Sequence, residues 1–332
     1  SSRRRHTRCN RWSRGLGDVY KRQQPNRYHA GLKAGQLTQA GYLLKMTMHS
    51  LAELGDYDEN DFCFRMDSQL FPLLDGTPTS GPGGYTSQSI RDAWRRRVEQ
   101  GLPWSETGGH ADTTEAIERT LAIAVLYAQQ PHKLAEAIAS NTLLTQTDDT
   151  VVSMTVAYGA VLGMLVQGHQ LDADLSGKLM KFVKTNQLPF HAVTSDNLQP
   201  PQPGDPDPPR AGRFASPDAL LTPSYMAKAA VDPDIHIEPA WKVSIVYGMP
   251  CAIYHQLPAV YYLAARFHND FESAVLHAIN GGGQNQARAM LTGALTGALV
   301  GQKGIPSRFI DGLENHEKLL HLASRVADLI DK

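Results

Sequence analysis

The run Thr147-Asp148-Asp149-Thr150 sets two adjacent carboxylates between two hydroxyls. Four oxygen donors in a row match the preference of Mg²⁺ for carboxylate and hydroxyl ligands. The same residues open an apolar helical run, where Thr or Asp accepts the unpaired N–H groups of a first turn. Local chemistry leaves both readings open, so Asp148 and Asp149 stand as a metal alternative. A second polar stretch, GGHADTTEA (108–116), puts His110 and Asp112 in a glycine-loosened loop ahead of another helix. It reads either as a capping loop or as the wall of a polar pocket at a helix N-terminus. Asp232, Asp234, His236 and Glu238 alternate along the chain. On a strand they would share a face and could bind a metal, although a solvated edge or loop is the commoner outcome. His316 and His321 are five residues apart, which separates them around a helix and excludes the HExxH zinc arrangement. There is no Walker loop, no GxGxxG after a strand, no GxSxG and no basic-aromatic alternation of the RNA-binding kind.

These side chains need a scaffold. The chain has 332 residues, 42% hydrophobic and 20% charged, an ordinary globular balance with material for a large core. No apolar run is expected to span a bilayer. Three cysteines without CxxC spacing predict no disulfide framework and a reducing, cytoplasmic setting. The net charge of −1 hides an asymmetry. Residues 1–23 hold eight of the 32 Lys+Arg and one of the 33 Asp+Glu, so the remainder carries 24 minus 32, or −8. That leader has no apolar segment of a secretory signal and no helical periodicity. We read 1–23 as non-native, with the native N-terminus then missing, and take 24–332 as one domain. Neither nucleic acid nor a membrane is expected as a partner.

Apolar spacing predicts helices over 28–54, 59–71, 88–100, 113–129, 131–142, 148–167 and 173–185. Four more are predicted over 250–267, 270–280, 285–301 and 315–331. Seven prolines between 188 and 213 mark an irregular insertion. Residues 231–239 alternate and read as extended. Gly293, Gly297 and Gly301 recur every four residues, which predicts a second backbone crossing closely there. No fixed-period repeat stands out. The expectation is an all-α, single, orthogonal multi-helix domain.

Residues 248–313 carry the most specific pattern. Leu257-Pro258-Ala259, Asp270-Phe271, Gly282-Gly283, Gly293-Ala294-Leu295 and Ile305-Pro306 follow one another in an order that resembles the C-terminal half of the ADP-ribosylglycohydrolase family. The resemblance runs weakly from 28 and well from about 108. It implies an all-helical fold, two magnesium ions in a central cleft, and hydrolysis of the bond between ADP-ribose and its carrier. It also implies an ADP-ribose-like small molecule or ADP-ribosylated protein as partner. In that family the metal ligands lie in a Thr-Asp-Asp-Thr near the start and a Gly-Gly-Asp-Thr-Asp-Thr near the end. Residues 147–150 are out of register with the first, because a third of the chain precedes them and Thr145-Gln146 falls on a family Thr-His segment just before. The in-register stretch is KAGQLTQAG (33–41), where Gln36, Thr38 and Gln39 stand and the paired acids do not. The second motif reads Gly282, Gly283, Gln284, Asn285, Gln286, Ala287. Amides offer a dipole where carboxylates offer charge, so the resemblance implies a weakened or absent magnesium site.

Two function classes follow. One is a hydrolase of a glycosidic bond in ADP-ribose or a related nucleoside conjugate. There His110 or Asp112 would serve as general base, and Gln284 and Asn285 would bind ribose hydroxyls or phosphate. The other is a catalytically inactive pseudoenzyme, related to the crystallin-like branch, acting as a ligand-binding or structural protein. The ligand-binding set is Gln36, Thr38, Gln39, Gly282, Gly283, Gln284, Asn285 and Gln286.

Overall fold

The computed structural model describes residues 28–191, 212–214 and 218–330. The expected leader at 1–23 and most of the proline-rich insertion fall outside the described residues. Among the described residues the fold is all-α, with only three isolated bridges in place of strands. The helices in chain order are α1 (Gln39–Leu54), α2 (Glu59–Arg65), α3 (Gln88–Trp94), α4 (Glu115–Leu126), α5 (Pro131–Leu143), α6 (Asp149–Val166) and α7 (Leu175–Lys184). They continue as α8 (Asp218–Val231), α9 (Val243–Tyr247), α10 (Ile253–Arg266), α11 (Phe271–Asn280), α12 (Asn285–Val300), α13 (Ser307–Asp311) and α14 (His316–Ala327).

The middle of the molecule is α6. Its residues are apolar or small on every side, so it has no face to give to water and packs against α4, α5, α8, α10 and α12. By length and composition α6 could cross a bilayer, against the expectation that no such run exists; 78% of it lies inside the protein, as for a core helix. Gly159 and Gly163 let it approach the α4–α5 hairpin. A Cβ on Gly159 would stand 2.3 Å from Ile138 Cδ1, and one on Gly163 would stand 3.3 Å from the Ala128 Cα. Around this helix the main core gathers Ile123, Ile138, Val156, Tyr158, Val161, Tyr261 and Leu291, all buried.

Four sequence expectations change. The first helix starts at Gln39 and not at 28, because Gly31 and Gly35 adopt φ of 82° and 86° and Thr38 caps the chain as it turns into α1. In 231–239, Val231 ends α8 and a turn follows, held by Asp232 Oδ1 accepting from Asp234 N, with irregular chain after it, so its alternating acids share no strand face. Helix α8 lies where no helix was expected, since Pro223 sits within it. Finally, the glycines of α12 receive side chains rather than a crossing backbone. The Phe271 ring of α11 lies over Gly293 and Gly297, Val275 also meets Gly293 and Ile305 meets Gly297, while a Cβ on Gly301, which ends the helix, would meet nothing within 4 Å.

Gly159→Leu is expected to cost about 1–3 kcal/mol, because the added carbons enter a filled interior beside Ile138, Leu134 and Ala124. Urea unfolding of the variant against the parent measures it.

Candidate functional site

Five helices begin side by side, and hydrogen bonds join their starts into a ring. Ser87 N, just before α3, donates to Gln39 Oε1 at the head of α1 (2.9 Å). The Ser89 hydroxyl on α3 donates to Glu115 Oε2, the first residue of α4 (2.5 Å). The Asp112 carbonyl ahead of α4 accepts from Ile253 N at the head of α10 (2.7 Å), and Thr113 bridges Ala252. Gln284 N before α12 donates to the Met249 carbonyl before α10 (3.0 Å). The Gln286 side chain closes the circle, donating from Nε2 to Thr38 Oγ1 (2.9 Å). The positive ends of five helix dipoles therefore share one region. Only α4 brings acids in its first turn, Glu115 and Glu118; α1, α3, α10 and α12 bring none.

The wall between α3 and α4 is built from inside the protein. The Gln146 amide is fully buried: Nε2 donates to the carbonyls of Ala111 and Thr113 and, at 3.4 Å, to Thr113 Oγ1, and Oε1 accepts from Ala116 N. Beside it the buried Arg119 donates to the Asn141 side chain and carbonyl and to Thr145 Oγ1. Burial draws the Arg119 pKa down to about 10. Thr113 adds a second hydroxyl donor to Glu115 Oε2 (2.6 Å). Burial pushes the neighbouring Glu118 carboxyl up to about 7, against the opposing hydrogen bond from Thr114.

The ring brings together Thr38, Gln39, Asp112, Gln284 and Gln286 from the residues singled out in sequence. Gly283 has a φ of 59°, and a Cβ there would meet the Met249 carbonyl at 2.3 Å, so the close approach of α12 to the α10 loop requires glycine. Gly282 precedes it with a φ of 69°. Asn285 turns inward, donating to the Ile279 carbonyl. Gln36 accepts from Lys33 N and lines a separate cavity of about 460 Å³ between α1 and α14, with Lys45, His49 and Lys318. That cavity gathers none of the ring's groups, so the chemistry points to the ring and not to this hollow. His110 is exposed on the 108–114 loop. Asp112 Oδ2 accepts from the Tyr254 hydroxyl (2.8 Å), and that bond with the Asp112 charge raises the Tyr254 pKa.

Asp148 is the N-cap of α6: its Oδ1 accepts from Thr150 N (2.9 Å) and Val151 N (3.0 Å). Asp149 is the first residue of the helix. Among the described residues no three His, Cys, Asp or Glu side chains converge as a metal group would need. The donors at the two motif positions are the Thr38 hydroxyl and the amides of Gln39, Gln284 and Gln286. Two divalent ions require carboxylate charge that these residues lack, so this donor set does not fit the implied magnesium pair.

Sequence reading passed over Glu115, Ser87, Tyr85 and Cys251. Glu115 followed two threonines and looked like an ordinary first-turn acid. Burial first, then the Glu115 charge, lifts Tyr85 to about 12. Burial and the charges of Glu115 and Asp112 likewise raise the Cys251 thiol.

The sequence profile of ADP-ribosylglycohydrolase matches residues 3–332. A solved structure described as an ADP-ribosylglycohydrolase-related protein complex is similar in fold, with a TM-score of 0.55 at 17% identity, over 89% of this chain and 82% of its own. No curated protein matches.

Asp148→Ala is expected to lower stability by about 1 kcal/mol through loss of the cap, and to leave ring ligands unaffected. Thermal unfolding with and without ligand reports both. Glu118 has a folded pKa raised above its ordinary value, so its contribution is favourable below about pH 4.5 and is lost as pH rises toward 7. Glu118→Gln is expected to flatten that fall in stability, measured by denaturant unfolding across the window.

Proposed function

The chain belongs to the ADP-ribosylglycohydrolase family, and from that membership we propose that its ring of helix starts binds an ADP-ribose-like small molecule without performing two-magnesium hydrolysis. One observation carries the reading. The two segments that correspond to the family's metal motifs do meet, through the bond from Gln286 Nε2 to Thr38 Oγ1, yet they meet as amide and hydroxyl. A neutral hydrogen bond stands where the family scheme sets acids around cations. Such a bond needs no counter-ion and holds α12 to α1 by itself.

The chain's own residues then bind and orient. Gln284 presents its side chain at the start of α12, where it makes no cap bond. The Tyr254 hydroxyl is already committed to Asp112. The acids Asp112 and Glu115 are both held by hydroxyl donors, which orients them as acceptors for ligand hydroxyls. An ADP-ribosylated protein would offer the same group on a carrier. A reducing, cytoplasmic setting belongs to the proposal and is supported by the free thiols of Cys63 and Cys251.

Calorimetric titration with ADP-ribose, in chelator and again with Mg²⁺, tests this together with release from an ADP-ribosylated peptide. The expected result is saturable binding with equal affinity in both buffers and no release. Mg²⁺-dependent release would overturn it.

A further inference from the structure

Two polar side-chain atoms in the ring, Gln39 Nε2 and Ser87 Oγ, are buried and unpartnered among the described residues, and they belong to adjoining residues. Gln39 and Ser87 are each 3% exposed. The Gln39 Oε1 is taken by Ser87 N, which fixes the amide with its NH₂ on the other side. That Nε2 has no hydrogen-bond partner among the described residues, and neither has Ser87 Oγ. A buried unpaired donor costs about 1–3 kcal/mol, so an acceptor that reached both would relieve that cost.

The surroundings define the acceptor. Gln39 is the first residue of α1, a 16-residue helix with no acid in its first turn, so its positive end is uncompensated. Arg91 donates from Nη1 to the Thr86 carbonyl, immediately before Ser87, and makes no ion pair among the described residues. Two neutral donors and a guanidinium suit a phosphoryl group, whose oxygens accept several charge-assisted bonds. Glu115 is the acid across the seam; its Oε2 is occupied by the hydroxyls of Ser89 and Thr113. Over Gln39 lies the turn 80–85, where Gly81, Gly83 and Gly84 all have positive φ. A Cβ on Gly83 would stand 2.8 Å from Thr38 Cα, so the turn lies directly on the helix start with no side chain between. His29 Nδ1 contacts the Gly83 carbonyl, and His29 N donates to that of Gly84.

We propose that Gln39 Nε2, Ser87 Oγ and Arg91 form a metal-free phosphoryl site beneath the glycine turn 80–85. The proposal rests on the binding reading above, for which it names the anchoring group of the ligand. Where a metal-dependent site would hold cations with acids, this site holds the anion directly. Both donors are buried under that turn, so entry of the anion requires the turn to move.

The test is isothermal titration with inorganic phosphate in chelator, with ADP-ribose titrated separately and then against saturating phosphate. Saturable phosphate binding that ADP-ribose displaces is expected. Gln39→Glu keeps the acceptor for Ser87 N and inverts the other end, and should weaken phosphate at least tenfold, as should Arg91→Gln. Ser87→Ala should weaken it about fivefold while leaving the melting temperature of the free protein unchanged or higher, which guards against a variant that fails to fold. Phosphate binding unaltered by all three changes would mean an adventitious ion only and would overturn the site, as would no saturable binding. ADP-ribose binding that ignores both phosphate and these variants would sink this site and spare the proposed function. Phosphate binding that the variants abolish, with no ADP-ribose binding, would do the reverse.

Discussion

A guanidinium removed from water must find oxygen atoms, and in this protein the oxygens that Arg119 finds set the geometry of the site. Its bonds to Asn141 and Thr145 tie α4 to the end of α5 and to the segment leading into α6. One residue on, Gln146 spends its whole amide on the 108–116 loop. Removing either partner would strand polar atoms where no water can reach them, so the loop has one low-energy course. Along that course Asp112 faces α10 and Glu115 faces α3. The apolar packing of α6 supplies the bulk of the burial, but it is indifferent to where an acid points; the polar pair is what decides that.

The ring follows from the same logic of satisfied groups. Each helix start has N–H groups with no partner inside its own helix. The α6 start uses Asp148, the α11 start uses Asp270, and the α2 start uses Asp58. At the ring such caps are scarce: of its five helices only α1 has a side-chain cap, from Thr38. Four of the five helix starts that meet in the ring therefore carry no side-chain cap. Gln39, Gln284 and Gln286, which stand at those starts, are neutral and add no negative charge to face the dipoles.

Much of this was legible in the residues. Helices with a continuous apolar stripe, such as α4, α5, α11 and α12, were placed to within a few positions, because burial of a stripe is a local pattern. The start of α1 was misplaced since the leucine spacing continues upstream through Gly31 and Gly35, and only the backbone shows that these glycines turn the chain. Helix α8 was hidden by its proline. Register alone grouped Thr38 with Gln286, and the two side chains share a hydrogen bond. Gln39 could be named as a motif residue, whereas its unpaired NH₂ could not, because an orphan is defined by every neighbour at once. One partner of Glu115 is the nearby Thr113, but the other, Ser89, lies on α3, more than twenty residues upstream, and no spacing rule connects it.

The bond from Gln286 to Thr38 joins residues 248 apart in sequence. Closing a loop of that size carries a large entropy loss, repaid only when the core between is already in place. The site is thus among the last parts of the molecule that can form. During synthesis, α1, α3 and α4 emerge and can pack long before α12 exists, and until then the α1 start has no partner from the far end of the chain. A ligand that spans the ring would bind only the finished fold, so its free energy of binding would add in full to the stability of the native state against every partly assembled one.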